Sequence, residues 1–206
     1  MSITKKLVIA VVAMAVAMCC MIGGTIAWLT SKPEAVVNTF TVGDIKITLD
    51  ESKVTLYGEV VGNTRVMEND YRLIPGQLYT KDPTVHVDKN VTNEKCYIFI
   101  KVENGIADIE ANDAGNDTIT EQIVANQWTA YDANAGIYYK VFDPETENNF
   151  DLIVFNSFKI ASTISKETIA AYNGKTVKVT AYAIQYLGFE ADVAAAWAAV
   201  SAAANG

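Results

Sequence analysis

The sequence predicts a mainly β protein, an antiparallel jelly-roll-like β-sandwich with a short connecting helix and a C-terminal alanine-rich helix. Three observations support this fold class. Apolar and polar residues alternate with a period of two over many short segments, turn-forming residues separate these segments, and helical spacing is confined to two places. The 206 residues are enough to bury one sizeable core. We therefore expect one sandwich domain over residues 28–188.

A candidate export signal occupies residues 1–27, ahead of that domain. Lys5 and Lys6 form a short positive region, and residues 7–22 follow without a charge. This run is shorter than the roughly 20 apolar residues that span a bilayer core. The pattern therefore favours a cleaved signal over the alternative of a retained transmembrane anchor. Contact with a membrane is expected only through the uncleaved leader.

The end of the leader has the features of a cleavage site. Two glycines at 23–24 break the apolar run, and Thr25 and Ala27 are small residues at the −3 and −1 positions before Trp28. We expect a signal peptidase to cleave after Ala27 during export. The mature protein would then be secreted, to the extracellular matrix or the cell surface, and would begin at Trp28.

Period-two alternation predicts the strands of the sandwich. In the most apolar segment, one face carries Cys96, Ile98, Ile100 and Val102 and the other carries Tyr97, Phe99 and Lys101. We expect the first of these faces to lie in the core. Further strand candidates lie at residues 45–49, 54–56, 85–87, 136–142, 152–160 and 177–183. Turn-forming pairs, among them Gly62-Asn63, separate the candidates.

Two segments have helical character. Ser165 can cap a short helix that runs through Tyr172 and connects two strands. Alanine dominates the segment 189–206, which we expect to form a helical tail. Its larger apolar residues recur at helical spacing, so that one narrow stripe can dock on the sandwich. The stripe consists of Phe189, Val193, Trp197 and Val200.

The segment 108–122 is acidic and rich in asparagine, and it is predicted to be an exposed loop. Its carboxylates could bind calcium, which prefers oxygen ligands. No glycine stands at the sixth position counted from Asp108 or Asp113, so the segment does not match an EF-hand loop. We expect a solvated loop, and whether it binds calcium stays open.

Composition excludes several functional classes. The net charge is −8 and no basic block occurs, which argues against a nucleic-acid partner. His86 is the one histidine, so a zinc site with two histidine ligands on a helix cannot form. Cys96 lies on the apolar face of a strand, where a thiol acts as a small hydrophobic group. We expect no catalytic residues, no metal ligands and no cofactor, and hence no enzyme.

The leader junction carries a more specific resemblance. Residues 23–31, GGTIAWLTS, and residues 37–47, VNTFTVGDIKI, resemble the TasA/camelysin family, whose leaders are processed by the SipW-type signal peptidase of Gram-positive bacteria. Residues 73–77, which lead into residues 85–102, are similar to the Pro-Gly turn of that family before a central strand pair. The resemblance extends to about residue 186. It implies a jelly-roll domain exported to the cell surface or the biofilm matrix.

The resemblance also implies a structural function. The best-known members of the family assemble into fibres, in which the mature N-terminal strand of one subunit completes the sheet of the next. Here the candidate donor is residues 28–49, with Val37, Phe40 and Val42 as the assembly residues. Ile45, Ile47 and Leu49 could instead form the first strand of the subunit itself. The partners expected are further copies of the chain or other matrix proteins. A camelysin-like metallo-endopeptidase and a monomeric surface adhesin are the alternatives.

Overall fold

The computed structural model describes residues 40–41, 45–113 and 115–205, and it is built mainly from antiparallel strand pairs. The strands are β1 Phe40–Thr41, β2 Lys46–Val54, β3 Val60–Val66, β4 Leu78–Thr80, β5 Thr84–Val87, β6 Cys96–Asn104, β7 Thr129–Asp132, β8 Ile137–Phe142, β9 Asp151–Ile153, β10 Ser157–Lys159 and β11 Val177–Gln185. The helices are α1 Ile119–Ala125, α2 Lys166–Ala170 and α3 Val193–Asn205, with a 3₁₀ turn at Ala107–Ile109.

Two larger sheets organise these strands. The first has the order β1-β2-β5-β9, with β3 also paired to β2, and the second has the order β11-β6-β8-β7. Strands β4 and β10 form a small third sheet. All strand pairs are antiparallel. The predicted fold class, a mainly β protein with antiparallel sheets, is confirmed.

One core lies between the two larger sheets. Ile47 and Val85 reach into it from the first sheet, and Ile98, Ile100 and Ala181 reach into it from the second. None of these five side chains is more than 1% exposed. The predicted inward face of β6 is confirmed, because alternate residues of a strand point to the same side.

A second core covers the other face of β6, which the alternation pattern had not predicted to be buried. Tyr97 and Phe99 are only 2% and 0% exposed. Helix α3 packs on them, and the ring centroids of Phe99 and Trp197 are 5.4 Å apart. The predicted stripe of the tail is confirmed, since all four of its residues pack in this cluster. Strand β6 is therefore covered on both faces at Tyr97 and Phe99.

Helix α2 begins where Ser165 predicts. The Oγ atom of Ser165 accepts a hydrogen bond from the backbone N–H of Thr168 at 3.2 Å, which satisfies one of the amides left unpaired in a first helical turn. The helix ends at Ala170, two residues before the predicted end at Tyr172, and a turn follows. Its place in the chain, between β10 and β11, agrees with the expected connection of two strands.

The prediction of an exposed loop over residues 108–122 is wrong in part. The segment contains Ile109 and Ile119, each 1% exposed, and it leads directly into α1. A capping box starts this helix: the Thr118 hydroxyl accepts from the Glu121 N–H, and the Glu121 carboxylate accepts from the Thr118 N–H. The capping pattern of Thr118 and Glu121 is visible in the sequence and outweighs the polar composition.

The turn predicted at Gly62-Asn63 is also wrong. Both residues lie inside β3, which pairs only with β2 among the described strands. Strand β3 buries no side chain fully, so it has no apolar alternation by which to recognise it. Gly62 has a φ of +62°, a conformation that glycine adopts at little cost.

The predicted leader, residues 1–27, lies outside the described residues, as do its cleavage-site residues Thr25, Ala27 and Trp28. Among the helices that the structure describes, none has the length and apolar character needed to cross a membrane.

Candidate functional site

Strand β11 forms an edge of the four-stranded sheet. It pairs with β6 over all nine of its residues, and no described strand pairs with its other side. Lys178 is its one charged residue. Natural edge strands are usually short, charged or interrupted by proline, because a long free edge can pair with another chain. Strand β11 has nine residues and no proline, so Lys178 is its one feature of this kind.

The hydrogen-bond register shows which backbone groups of β11 are turned outward. The N–H of Tyr186 donates to the carbonyl of Lys95, and the N–H of Gly105 donates to the carbonyl of Thr176, both at 2.9 Å. Pairing in an antiparallel ladder alternates from residue to residue, so even-numbered residues of β11 bond to β6. The outward N–H and C=O groups belong to Val177, Val179, Ala181, Ala183 and Gln185.

A second free edge lies on β2. Strand β1 pairs with Lys46 and Ile47, and β3 pairs with β2 from Glu51 onward. Between them, Leu49 has no partner on that side among the described strands. Asp88 N–H donates to the Lys46 carbonyl at 2.9 Å, so the even residues of β2 face β5. The N–H and C=O of Leu49 therefore point into the gap between β1 and β3.

The two free edges line the same groove, which we call the edge groove. Its volume is about 1270 Å³, larger than the roughly 300–1,000 Å³ of ordinary small-ligand pockets. Leu49 lines it from β2 and residues 177–180 line it from β11. Residues 67–73, 169–170 and 172–176 form further parts of its walls. A groove bordered by unpaired strand edges suits an extended chain segment better than a compact molecule.

A buried ion pair lies in the wall of the edge groove. Glu51 and Lys81 are 3% and 9% exposed, and Nζ of Lys81 donates to Oε2 of Glu51. The other carboxylate oxygen accepts a hydrogen bond from Nδ2 of Asn69 at 2.8 Å. Burial, together with the charges of Glu51 and Asp82, raises the pKa of Tyr71 beside them. Burial of charge is costly, so both members of this pair depend on their partners.

Of the predicted assembly residues, Phe40 lies in a described strand. Its backbone pairs with Ile47 of β2, two residues before Leu49 in the edge groove. Residues 46–49 of the candidate donor belong to β2 of the chain's own sheet, so the segment before them is left as the donor. Val37 and Val42 lie outside the described residues. The role of these three residues in assembly stays a prediction.

His86 lies on the outward face of the first sheet, between two carboxylates. Its Nδ1 atom is 2.6 Å from Oδ1 of Asp151, and its Nε2 atom is 2.8 Å from Oδ1 of Asp50. Asp50 also pairs with Arg65, which reaches Asp82 as well. The sequence alone does not reveal these partners of His86, because they come from strands distant in the chain.

The residues around His86 do not fit a zinc site. Zinc ligands must converge on one point at about 2.0–2.2 Å from the metal. Here the two carboxylates lie on opposite ring nitrogens, so the three side chains surround the imidazole rather than a common point. In the ranges that the structure describes, no group of three or more His, Cys, Asp or Glu side chains is arranged to hold a metal ion.

Two acidic residues of the segment 108–121, Glu110 and Glu121, accept hydrogen bonds from amide groups of the chain. Glu110 accepts hydrogen bonds from the Asn104 side chain and from the N–H of Ile119. Burial raises the pKa of Glu110, whereas the hydrogen bonds from Thr118 lower the pKa of Glu121. Both carboxylates therefore stabilise the start of α1 and the turn before it.

Cys96 lies in the main core and is 0% exposed. Burial, with a smaller effect from the charge of Asp143, raises the pKa of the Cys96 thiol to about 12. A thiol in apolar surroundings stays protonated and is a poor nucleophile.

We expect the Cys96 thiol to be inert in the folded protein. A disulfide reagent at pH 8 should react with it only after unfolding in urea.

The raised pKa of Cys96 should also make the free energy of unfolding fall at alkaline pH. Below the pKa of an unfolded thiol, about 8.5, the contribution of the protonated thiol to stability is complete. It is lost as the pH rises toward 12, because the unfolded chain then ionises first. A Cys96→Ala variant should lack this part of the alkaline loss. Rapid reaction of the native thiol at pH 8 would contradict the burial.

Comparison with known proteins agrees with the resemblance in the sequence. Residues 2–186 match the family model described as camelysin metallo-endopeptidase. No curated protein and no solved structure was found to match the chain. The match ends before α3, so the alanine-rich tail lies beyond the part shared with the family model. Because the model spans well over half of the sequence, the chain belongs to the TasA/camelysin family, a family of secreted or cell-surface proteins.

Proposed function

We propose that the protein is an exported structural subunit of the cell surface or biofilm matrix that assembles by β-strand addition. A signal peptidase removes residues 1–27, and the segment 28–42 of one copy then adds to the edge groove of the next. The observation that carries the proposal is the groove itself, in which β11 and Leu49 present unpaired backbone groups to one space. Membership of a secreted, cell-surface family supports export.

The chemistry of the edge groove suits an incoming strand. Backbone hydrogen bonds to Val177 and Val179 would supply affinity that does not depend on side chains. Alternate side chains would then set the register, and Phe40 and Val42, two residues apart, would point to the same side. A small polar ligand would use few of these outward amides and carbonyls.

The position of β1 supports an exchange between copies. Within one chain, Phe40 and Thr41 already pair with β2 next to the free edge at Leu49. Exchange of an identical segment between copies costs little, because each pairing lost within a chain is regained between chains. The β1–β2 pairing is therefore kept on exchange, and the hydrogen bonds to β11 add to it.

We expect deletion of residues 28–42 to leave a folded domain that no longer polymerises. The matched control is the mature chain from Trp28, which should form fibres; its N-terminus is checked by mass spectrometry of the exported protein. Circular dichroism reports the fold, and light scattering with negative-stain microscopy reports assembly. A peptide of residues 28–42 should bind the truncated domain. If the mature chain stays monomeric at high concentration and the truncated chain unfolds, the segment is an internal strand. The monomeric adhesin would then be the better description.

We also propose that the protein is not a zinc-dependent peptidase, although the family model carries that description. The support is the single histidine of the chain and the placement of its two carboxylates on opposite ring nitrogens. The buried thiol of Cys96 offers no alternative nucleophile.

The mature protein should bind Zn²⁺ no more tightly than its His86→Ala variant does. It should also digest casein no faster than a buffer control, with or without a chelator. Titration calorimetry with zinc and a casein assay measure the two properties. Stoichiometric zinc in the purified protein, lost together with proteolysis on chelation, would show that the chain is an enzyme.

A further inference from the structure

We propose that the side chains of Lys81 and Asn69 become joined by an amide bond, with Glu51 carrying the protons. This modification is independent of strand addition and would cross-link the loop before β4 to the loop after it. It is suggested by the meeting of an amine, a carboxamide and a carboxylate in the wall of the edge groove.

The geometry brings both reacting groups to one carboxylate. Lys81 Nζ lies on Oε2 of Glu51, and Asn69 Nδ2 lies on Oε1 at 2.8 Å. Glu51 is 3% exposed and Lys81 is 9% exposed, so little water competes for these contacts. Holding the amine and the amide on the two oxygens of one carboxylate removes much of the entropic cost of bringing them together.

The orientation of the Asn69 amide is set by backbone groups. Its Oδ1 atom accepts a hydrogen bond from the Val54 N–H at 2.9 Å, and its Nδ2 atom donates to the Ser52 carbonyl at 2.9 Å. A donor at Oδ1 and an acceptor at Nδ2 fix which atom of the Asn69 amide is the oxygen and which is the nitrogen. The Val54 N–H is placed to stabilise negative charge on Oδ1 when the carbonyl carbon is attacked.

One wall of the space around Lys81 is aromatic. The Tyr71 ring lies 5.8 Å from Nζ, and Tyr71 packs edge-on against Phe158 and Tyr79. A proton has a short path from Lys81 to Glu51, because Nζ donates directly to Oε2. Glu51, Asn69 and Lys81 all line the edge groove, which offers an exit for a small leaving group.

The reaction balances without an oxidant or a further reactant. The Lys81 ammonium gives one proton to Glu51, and the free Nζ attacks Cγ of Asn69. A C–N bond forms, and Oδ1 takes the negative charge. Glu51 passes its proton to Nδ2 and accepts the second proton of the attacking nitrogen. The C–Nδ2 bond then breaks and ammonia leaves with the remaining proton as ammonium. Glu51 returns to the carboxylate form.

Mass spectrometry of the denatured mature chain from Trp28 tests the proposal. The intact mass should be lower than that of the sequence by one ammonia. A tryptic digest should contain residues 66–72 joined to residues 73–89, with no cleavage after Lys81. An imide at an Asn-Gly pair would also release ammonia, so the joined peptides are the decisive result. A folded protein of full mass, or a loss of ammonia mapped elsewhere, would overturn the proposal.

Matched variants separate the chemistry from the fold. Lys81→Met and Glu51→Gln should each have the full mass of their sequences, and circular dichroism checks that they fold. Asn69→Asp should still react, now with loss of water, and its product should have the same mass as the cross-linked unsubstituted chain. Replacement of the exposed Lys53 by methionine should leave the cross-link intact. Joined peptides in the Lys81→Met variant would assign the link to another lysine and contradict the proposal.

Discussion

Replacing Phe99 with alanine should lower the free energy of unfolding by about 3–5 kcal/mol, the usual cost of removing a large aromatic side chain from a core. Phe99 is 0% exposed although it lies on the outward face of β6. Helix α3 supplies the cover, through Trp197 in particular. Urea denaturation followed by circular dichroism measures the effect.

Two neighbours of Phe99 serve as controls. Ile100→Ala, on the inward face, should cost about 2–5 kcal/mol, and Lys101→Ala should cost within about 0.5 kcal/mol. In a chain that lacks residues 189–206, Phe99→Ala should cost much less, because the helix that covers Phe99 is gone. A loss for Phe99→Ala no larger than that for Lys101→Ala would contradict the second core.

Proline scanning of β11 should give opposite results at adjacent positions. Lys178 pairs with Glu103, and its N–H faces β6. Lys178→Pro removes this donor and leaves a ladder carbonyl unpaired, at about 1–3 kcal/mol, and the proline ring adds a steric cost. The N–H of Val179 faces outward, and proline is tolerated on an edge strand at such a position. Thermal unfolding measures both variants.

Proline at position 179 should affect assembly much more than it affects stability. Val179→Pro should fold, with a loss no larger than that of Val179→Ala, yet it should not form fibres, because an incoming strand would lose an amide donor. Val179→Ala keeps that donor and should still assemble. Fibres formed by Val179→Pro would rule out pairing at the middle of β11.

Much of the fold could be predicted from local patterns. The alternation from Cys96 to Val102 identified the central strand, and Ser165 identified the start of α2. The spacing of Phe189 and Trp197 identified the docking face of the tail. In each case the residues that decide the structure lie within one element, and their periodicity reflects the surface that the element buries.

The rest depends on contacts between distant segments. Strand β3 buries no apolar face fully, so composition does not distinguish it from a loop. Asp50 and Asp151 meet His86, and Asn69 and Lys81 meet Glu51, only after strands from different parts of the chain are paired. The edge groove is bordered by strands of both larger sheets, so no single segment of the sequence reveals it. For α1, by contrast, the capping box at Thr118 was present in the sequence.

Hydrogen exchange of the β11 amides tests strand addition most directly. The protein that lacks residues 28–42 is compared by NMR with and without a peptide of those residues. The even-numbered amides of β11 should exchange slowly in both samples, since they already bond to β6. The amides of Val177, Val179, Ala181 and Ala183 should become markedly slower when the peptide is bound. Binding of the peptide with no change at these amides, or with new protection only at β7 or β9, would contradict addition at this edge.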